Sequence, residues 1–196
     1  MDFNISPLIQ FSIAQGVPPE TIILLLILPV IATLIAFFRQ VIGIKAFGIY
    51  TPLIVTFSFL ATNGVKYGIA IFLAVIIIGM LMRFALKPFR LLYLPRVAIM
   101  LTIVAILILG ILVMGGSMKR TGLASVSIFP ILIMITIVEK FIAVQKEKGD
   151  RMAIRLAAET LVISILGYYL AIWKPFLSFI ASYPWIILLT LPINIA

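Results

Sequence analysis

Seven runs without a single charged side chain divide the chain, at 21–38, 46–65, 67–82, 97–118, 121–138, 160–173 and 175–196. Runs of this length and apolarity point to helices crossing hydrocarbon. A bilayer core of ~30 Å takes ~20 residues of helix, and only a helix or a closed barrel satisfies its own backbone groups where no water can reach them. Composition agrees: 64% of the 196 residues are hydrophobic, 11% are charged, and the mean hydropathy is +1.33. The expected fold is all-α, a polytopic membrane bundle of about seven spans. Such spans use up most of the chain and leave no room for a soluble catalytic domain.

The missing residue types exclude chemistry. With no Cys and no His, the chain cannot form a thiolate or imidazole metal site, a Ser/His or Cys/His pair, a haem site or a disulfide. An aspartic intramembrane protease needs two membrane carboxylates, and Glu159, at the start of the sixth span, stands alone. The expectation is a protein that is not an enzyme and holds no metal or cofactor. The net charge of +9 would suggest nucleic acid in a soluble domain. Beside membrane spans it reads as orientation and contact with the lipid bilayer.

Two regions are expected, an extracytoplasmic or interfacial arm at 1–19 and a seven-helix membrane domain at 20–196. The arm has no basic n-region or cleavage site, so it is expected to stay on the mature protein. Ser6-Pro7 starts a short helix with Leu8, Phe11 and Ile13 at the interface, and Gly16-Val17-Pro18-Pro19 ends it. The third run extends past Arg83 to Leu86, and the sixth begins near Ala153. Pro52 and Pro130 break the second and fifth spans near their starts. Their helical parts, 52–61 and 130–138, are then short, and re-entrant or half-helix segments stay open as an alternative.

Placing the N-terminus outside and the C-terminus inside puts 11 of the 15 basic residues on inner segments. The remaining 4, Lys66, Lys119, Arg120 and Lys174, fall outside. The positive-inside trend therefore favours that orientation in a bacterial cytoplasmic membrane. The inner connection 139–152 is the longest polar one, and reads as a solvated face or a docking surface.

An internal repeat is visible. Gly43 to Pro52 and Gly122 to Pro130 both run from a small-residue turn through Ile and an aromatic to proline. Lys87-Pro88-Phe89 and Lys174-Pro175-Phe176 close the following spans. Spans one to three and four to six would form a duplicated unit, and an odd number of spans per unit makes the repeat inverted, as in secondary transporters. Span seven is an addition.

Cations lie where a helix start is already positive, Arg39 and Lys45 before span two and Lys119 and Arg120 before span five. All four are candidate sites for a substrate or other anion. Arg155 and Glu159, at i, i+4, share a face and are expected to form an intramembrane ion pair. Gly79, Gly110, Gly115, Gly116 and Gly167 read as close-packing points.

The segment Arg39-Gln40-Val41-Ile42-Gly43-Ile44-Lys45-Ala46-Phe47-Gly48-Ile49-Tyr50-Thr51-Pro52, with Pro95-Arg96 and Phe129-Pro130, resembles a bacterial family. It looks like the seven-helix membrane region of the "inactive transglutaminase fused to seven transmembrane helices" proteins, and the likeness runs from about Pro19 onward. The 196 residues hold no transglutaminase-like domain ahead of span one, where that family carries it. A more distant likeness is to the C subunit of poly-γ-glutamate (capsule) synthase. These resemblances imply a cytosolic partner, an ATP-grasp-type or other carboxylate-amine ligase, and an anionic peptide polymer as product. Neither supplies catalytic residues for this chain. Two readings follow: a subunit that assembles or translocates such a polymer, or a non-transporting membrane anchor for a partner enzyme. Oligomerisation is compatible with either.

Overall fold

The computed structural model describes residues 6–62, 65–86 and 128–195, together with 95, 98–99, 102–103, 105–106, 109–110 and 113. These residues are helical or irregular, with no strand among them. They divide into two compact units, Lys45–Ser164 and Met1–Ile44 with Ile165–Ala196.

The second of these units begins with α1 (Pro7–Ala14), where proline at the first position needs no intrahelical partner. Ile9 turns inward and Phe11 outward, with 4% and 66% of their surfaces accessible. The Ser6 amide donates to the Ala181 carbonyl at 3.2 Å, so the start of the arm is tied down. Gly16, at φ +89°, turns the chain into α2 (Pro19–Gln40).

α2 has 22 residues, with Glu20 in its first turn and Arg39 in its last, and both charges suit the helix dipole. Ile27, Ile31 and Ile35 form its buried stripe. Leu25 and Phe37 are exposed, as expected of a helix whose solvent is lipid. The C-terminal part of α6 (Asp150–Ile172), α7 (Lys174–Ser182), a 3₁₀ turn (Pro184–Leu189) and α8 (Thr190–Ile195) complete this unit. Asn194 returns to α2, its Nδ2 donating to Thr33 Oγ1 at 2.9 Å.

The run 175–196 reads as a single span. Instead α7 and the segment Pro184–Asn194 meet at 98°. Pro184 lacks an amide hydrogen and disfavours helical geometry in the residue before it. Tyr183 accordingly sits at φ −128°, ψ 67°.

The unit Lys45–Ser164 holds α3 (Tyr50–Ala61), α4 (Val65–Leu86), α5 (Ile128–Lys148) and the first part of α6. α5 packs on both α3 and α4. Val55, Phe59, Phe72, Val75, Ile137 and Phe141 are buried there. Hydrocarbon-soluble helices gain little by hiding from lipid, so close van der Waals packing has to hold them together. Gly68 supplies it by admitting Phe59, whose ring would collide with any β-carbon at that position. Gly79 lies against α5, where an added β-carbon would stand 3.1 Å from Val138.

α3 has only 12 residues, ~18 Å at 1.5 Å per residue, about half of what a bilayer core requires. Its start two residues before Pro52 follows from proline's tolerance in a first turn.

The expected inner loop 139–152 is not a loop. α5 continues through Glu139 to Lys148, a single residue follows, and α6 begins at Asp150. The charges misled because they occupy one side of a helix: Glu139, Lys146, Glu147 and Lys148 are exposed while Phe141, Ile142 and Gln145 are buried. Gly149, at φ +84°, makes the turn, a conformation that glycine takes without steric penalty. Among the described residues α2 and α6 are long and apolar enough to cross a membrane, and the bent pair makes a third if counted as one span.

Candidate functional site

Polar side chains buried among the described residues lie only in the unit Lys45–Ser164: Thr51, Thr56, Ser58, Thr62, Gln145, Thr160 and Ser164. Several of them meet at the start of α3. The chain reaches α3 through the irregular residues 41–49, in which Gly43, Ala46 and Gly48 have φ values of +79°, +42° and +91°. The glycines adopt this geometry freely, whereas Ala46 loses roughly 1–2 kcal/mol in it. Strain of that kind persists only where the surroundings impose it.

Here α6 imposes it. Glu159 Oε2 accepts the backbone N–H of Lys45 at 2.9 Å and that of Ala46 at 3.1 Å. Two successive amides converging on one oxygen form a small anion nest, and the anion in it belongs to the chain itself. Thr160 Oγ1 accepts the next amide, that of Phe47, at 3.1 Å and donates to the Leu156 carbonyl at 2.7 Å. One turn further on, Ser164 Oγ lies 3.0 Å from the Pro52 carbonyl and 2.7 Å from that of Thr160. Thr56 Oγ1 also reaches the Pro52 carbonyl, at 2.9 Å. A ladder of polar groups on α6 thus clasps the lead-in and first turn of α3.

α5 holds the same place from another direction. Lys140 Nζ donates to Thr51 Oγ1 at 2.9 Å, and that hydroxyl donates to the Phe47 carbonyl at 2.9 Å. The Phe47 ring meets Phe141 edge to face at 6.4 Å. Arg155 Nε donates to the other oxygen of Glu159 at 2.9 Å, with 73% of the arginine side chain accessible against 17% for the glutamate. The carboxylate therefore serves the backbone leading into α3 with one oxygen and a surface cation with the other.

The residues singled out in the sequence fall as follows. Arg155 and Glu159 pair, and Lys45 joins them through its backbone amide rather than its ammonium. Arg39 sits in the last turn of α2, where a cation is favourable, so the electrostatic oddity inferred for it disappears. Pro52 and Pro130 stand third in α3 and α5. Lys119 and Arg120 lie outside the described residues, as do Gly115 and Gly116.

The sequence reading placed Lys140 in a polar connection and missed Thr51, Thr160 and Ser164. A signal existed for the last two, since hydroxyls directly after Glu159 and one turn later put a polar stripe on an apolar run. Gln145 is also buried, and neither its amide nitrogen nor its oxygen has a hydrogen-bond partner among the described residues. No cluster of three or more potential metal-ligating side chains occurs among the described residues.

Apolar helices turned outward, a glycine-packed helix core and a half-length helix held by buried polar groups define a polytopic α-helical membrane domain. The family described as seven transmembrane helices usually fused to an inactive transglutaminase matches residues 3–196. The chain belongs to that family. No curated protein and no solved structure matches it.

Proposed function

We propose that this domain is a membrane scaffold: it does no chemistry, conducts no solute, and holds a partner enzyme or enzyme-like domain at the bilayer. The observation that carries this reading is the closed nest in the lead-in to α3, where Glu159 occupies the amides of Lys45 and Ala46, just ahead of the helix. A half-helix that binds a transported anion has to leave the backbone leading into it open to a cavity. The family's usual fusion to an inactive transglutaminase domain supports the same reading. The domain is oriented N-terminus outside and C-terminus inside, in a bacterial cytoplasmic membrane. A cysteine placed at position 148 of this Cys-free chain should then react with an impermeant thiol reagent only after permeabilisation.

A second reading draws on Lys140. Its ammonium stands at the second residue of α3, near the positive helix end, where a cation favours an incoming anion. In this reading the domain assembles or translocates an anionic amino-acid polymer made by a cytosolic ATP-dependent carboxylate-amine ligase.

Reconstitution separates the two. Proteoliposomes loaded with oligoglutamate should lose it no faster than protein-free vesicles, while the domain in nanodiscs should retain the purified ligase or a transglutaminase-like domain. Release that depends on the protein and is abolished by Lys140→Gln would overturn the scaffold reading.

A further inference from the structure

A groove of about 730 Å³ lies where α2, the last turns of α6 and the start of α7 meet. Its walls include Leu34, Phe38, Tyr169, Leu170 and Trp173, with Lys174 as the one charged residue. All of these belong to one compact unit. The volume falls within the range of specific ligand sites, but the lining suits an amphiphile better than a water-soluble metabolite.

We infer that the groove is a binding site for one anionic phospholipid, with an acyl chain along α6 and the phosphate at Lys174. The inference is independent of the scaffold reading. Charge complementarity carries it. Lys174 is the first residue of α7, whose N-cap, Trp173, provides no side-chain cap. The helix end is therefore positive and carries a cation besides, and no described residue forms an ion pair with that cation. Both features favour an anion, and the apolar lining requires that anion to bring a hydrocarbon tail.

The aromatic residues fix the depth. Trp173 is 58% accessible and stacks on Phe176 with ring centroids 6.4 Å apart. Tryptophan beside lysine is the usual marker of the headgroup level. From Ile172 back to Leu166, both also in the lining, α6 descends ~9 Å at 1.5 Å per residue. That is over half of the ~15 Å belonging to one leaflet of a ~30 Å core. Head and tail thus find their partners at the depths a bilayer lipid would present them.

Native mass spectrometry of the full chain released from nanodiscs tests this. The discs would contain equal phosphatidylglycerol and phosphatidylcholine of identical acyl chains. The parent should retain a single lipid with about a fivefold preference for phosphatidylglycerol, the effect expected of one basic residue near a phosphate. Lys174→Gln should bring the preference to parity, Lys174→Arg should keep it, and Leu170→Trp should reduce retention of both lipids. Lys66→Gln, which removes the same charge from α4, should change nothing. A preference that survives Lys174→Gln, or is lost equally with Lys66→Gln, would overturn the assignment. Competition by millimolar inorganic phosphate as effective as that by added lipid would also overturn it, since the site would then take a free anion.

Discussion

Replacing Glu159 with alanine removes the acceptor for two backbone amides at 2.9 and 3.1 Å and the partner of Arg155. Hydrogen bonds to a charged acceptor contribute about 1.5–3 kcal/mol each. The exposed i, i+4 pair with Arg155 adds only about 0.3–0.5 kcal/mol, because water or headgroups screen a guanidinium so accessible. Against this, release of the left-handed Ala46 recovers roughly 1–2 kcal/mol. The expected net loss is about 2–5 kcal/mol, nearly all from the backbone contacts. Equilibrium unfolding in mixed SDS micelles, read by pulse proteolysis, measures it. Glu159→Gln should fall between parent and alanine, since its carbonyl oxygen can still take both amides while its NH₂ faces a second donor on Arg155. Arg155→Ala should cost less than about 0.5 kcal/mol. If Arg155→Ala cost as much as Glu159→Ala, the carboxylate would be acting as an ion-pair partner and not as the anion of a backbone nest.

Five further substitutions, at four positions, probe the packing, the strain and a buried amide. Gly68→Ala drives a methyl group into the Phe59 ring and should lower stability by about 1–3 kcal/mol in the same assay, whereas Gly110→Ala meets nothing within 4 Å among the described residues and should be neutral or stabilise by up to about 1 kcal/mol. Ala46→Val should destabilise by more than about 1 kcal/mol, since a β-branched residue tolerates positive φ worse than alanine, while Ala46→Gly should be neutral or mildly stabilising. Gln145→Leu replaces a buried amide without partners and should stabilise by about 1 kcal/mol or more; a loss of stability would mean that this amide is satisfied in the membrane by a group yet to be found.

Much of the helical framework is legible in the residue pattern, because charge-free runs of ~20 residues match the length of a helix that crosses hydrocarbon. The run 21–38 becomes α2 (Pro19–Gln40), and the break expected at Pro52 is the start of α3. The spacing of Arg155 and Glu159 predicts their contact, since i, i+4 geometry is local. Two features escape pattern reading for physical reasons. A charged stretch such as 139–148 looks like a loop when its charges are counted, yet Phe141, Ile142 and Gln145 fall on one helix face and are buried. Hydropathy also averages over Pro184 and so does not register the 98° bend.

The main site is the least legible part. Glu159 meets Lys45 across 114 residues of sequence, and what it meets is backbone N–H, which every residue other than proline carries and no side-chain pattern reveals. Only the small-residue turn around Gly43 and Gly48 hinted that the backbone there would be free to converge on an anion.

Residue-resolved hydrogen exchange at the amides of Lys45, Ala46 and Phe47, in nanodiscs, tests the closed nest most directly. In the parent all three should exchange slowly while Gly43, with no described partner for its amide, exchanges fast. In Glu159→Ala, Lys45 and Ala46 should lose their protection while the interior of α3 from Val55 to Phe59 keeps it; in Thr160→Val the loss should centre on Phe47. Fast exchange at Lys45 and Ala46 in the parent, or protection there unchanged by loss of the carboxylate, would mean that the start of α3 is open and that Glu159 does not close it.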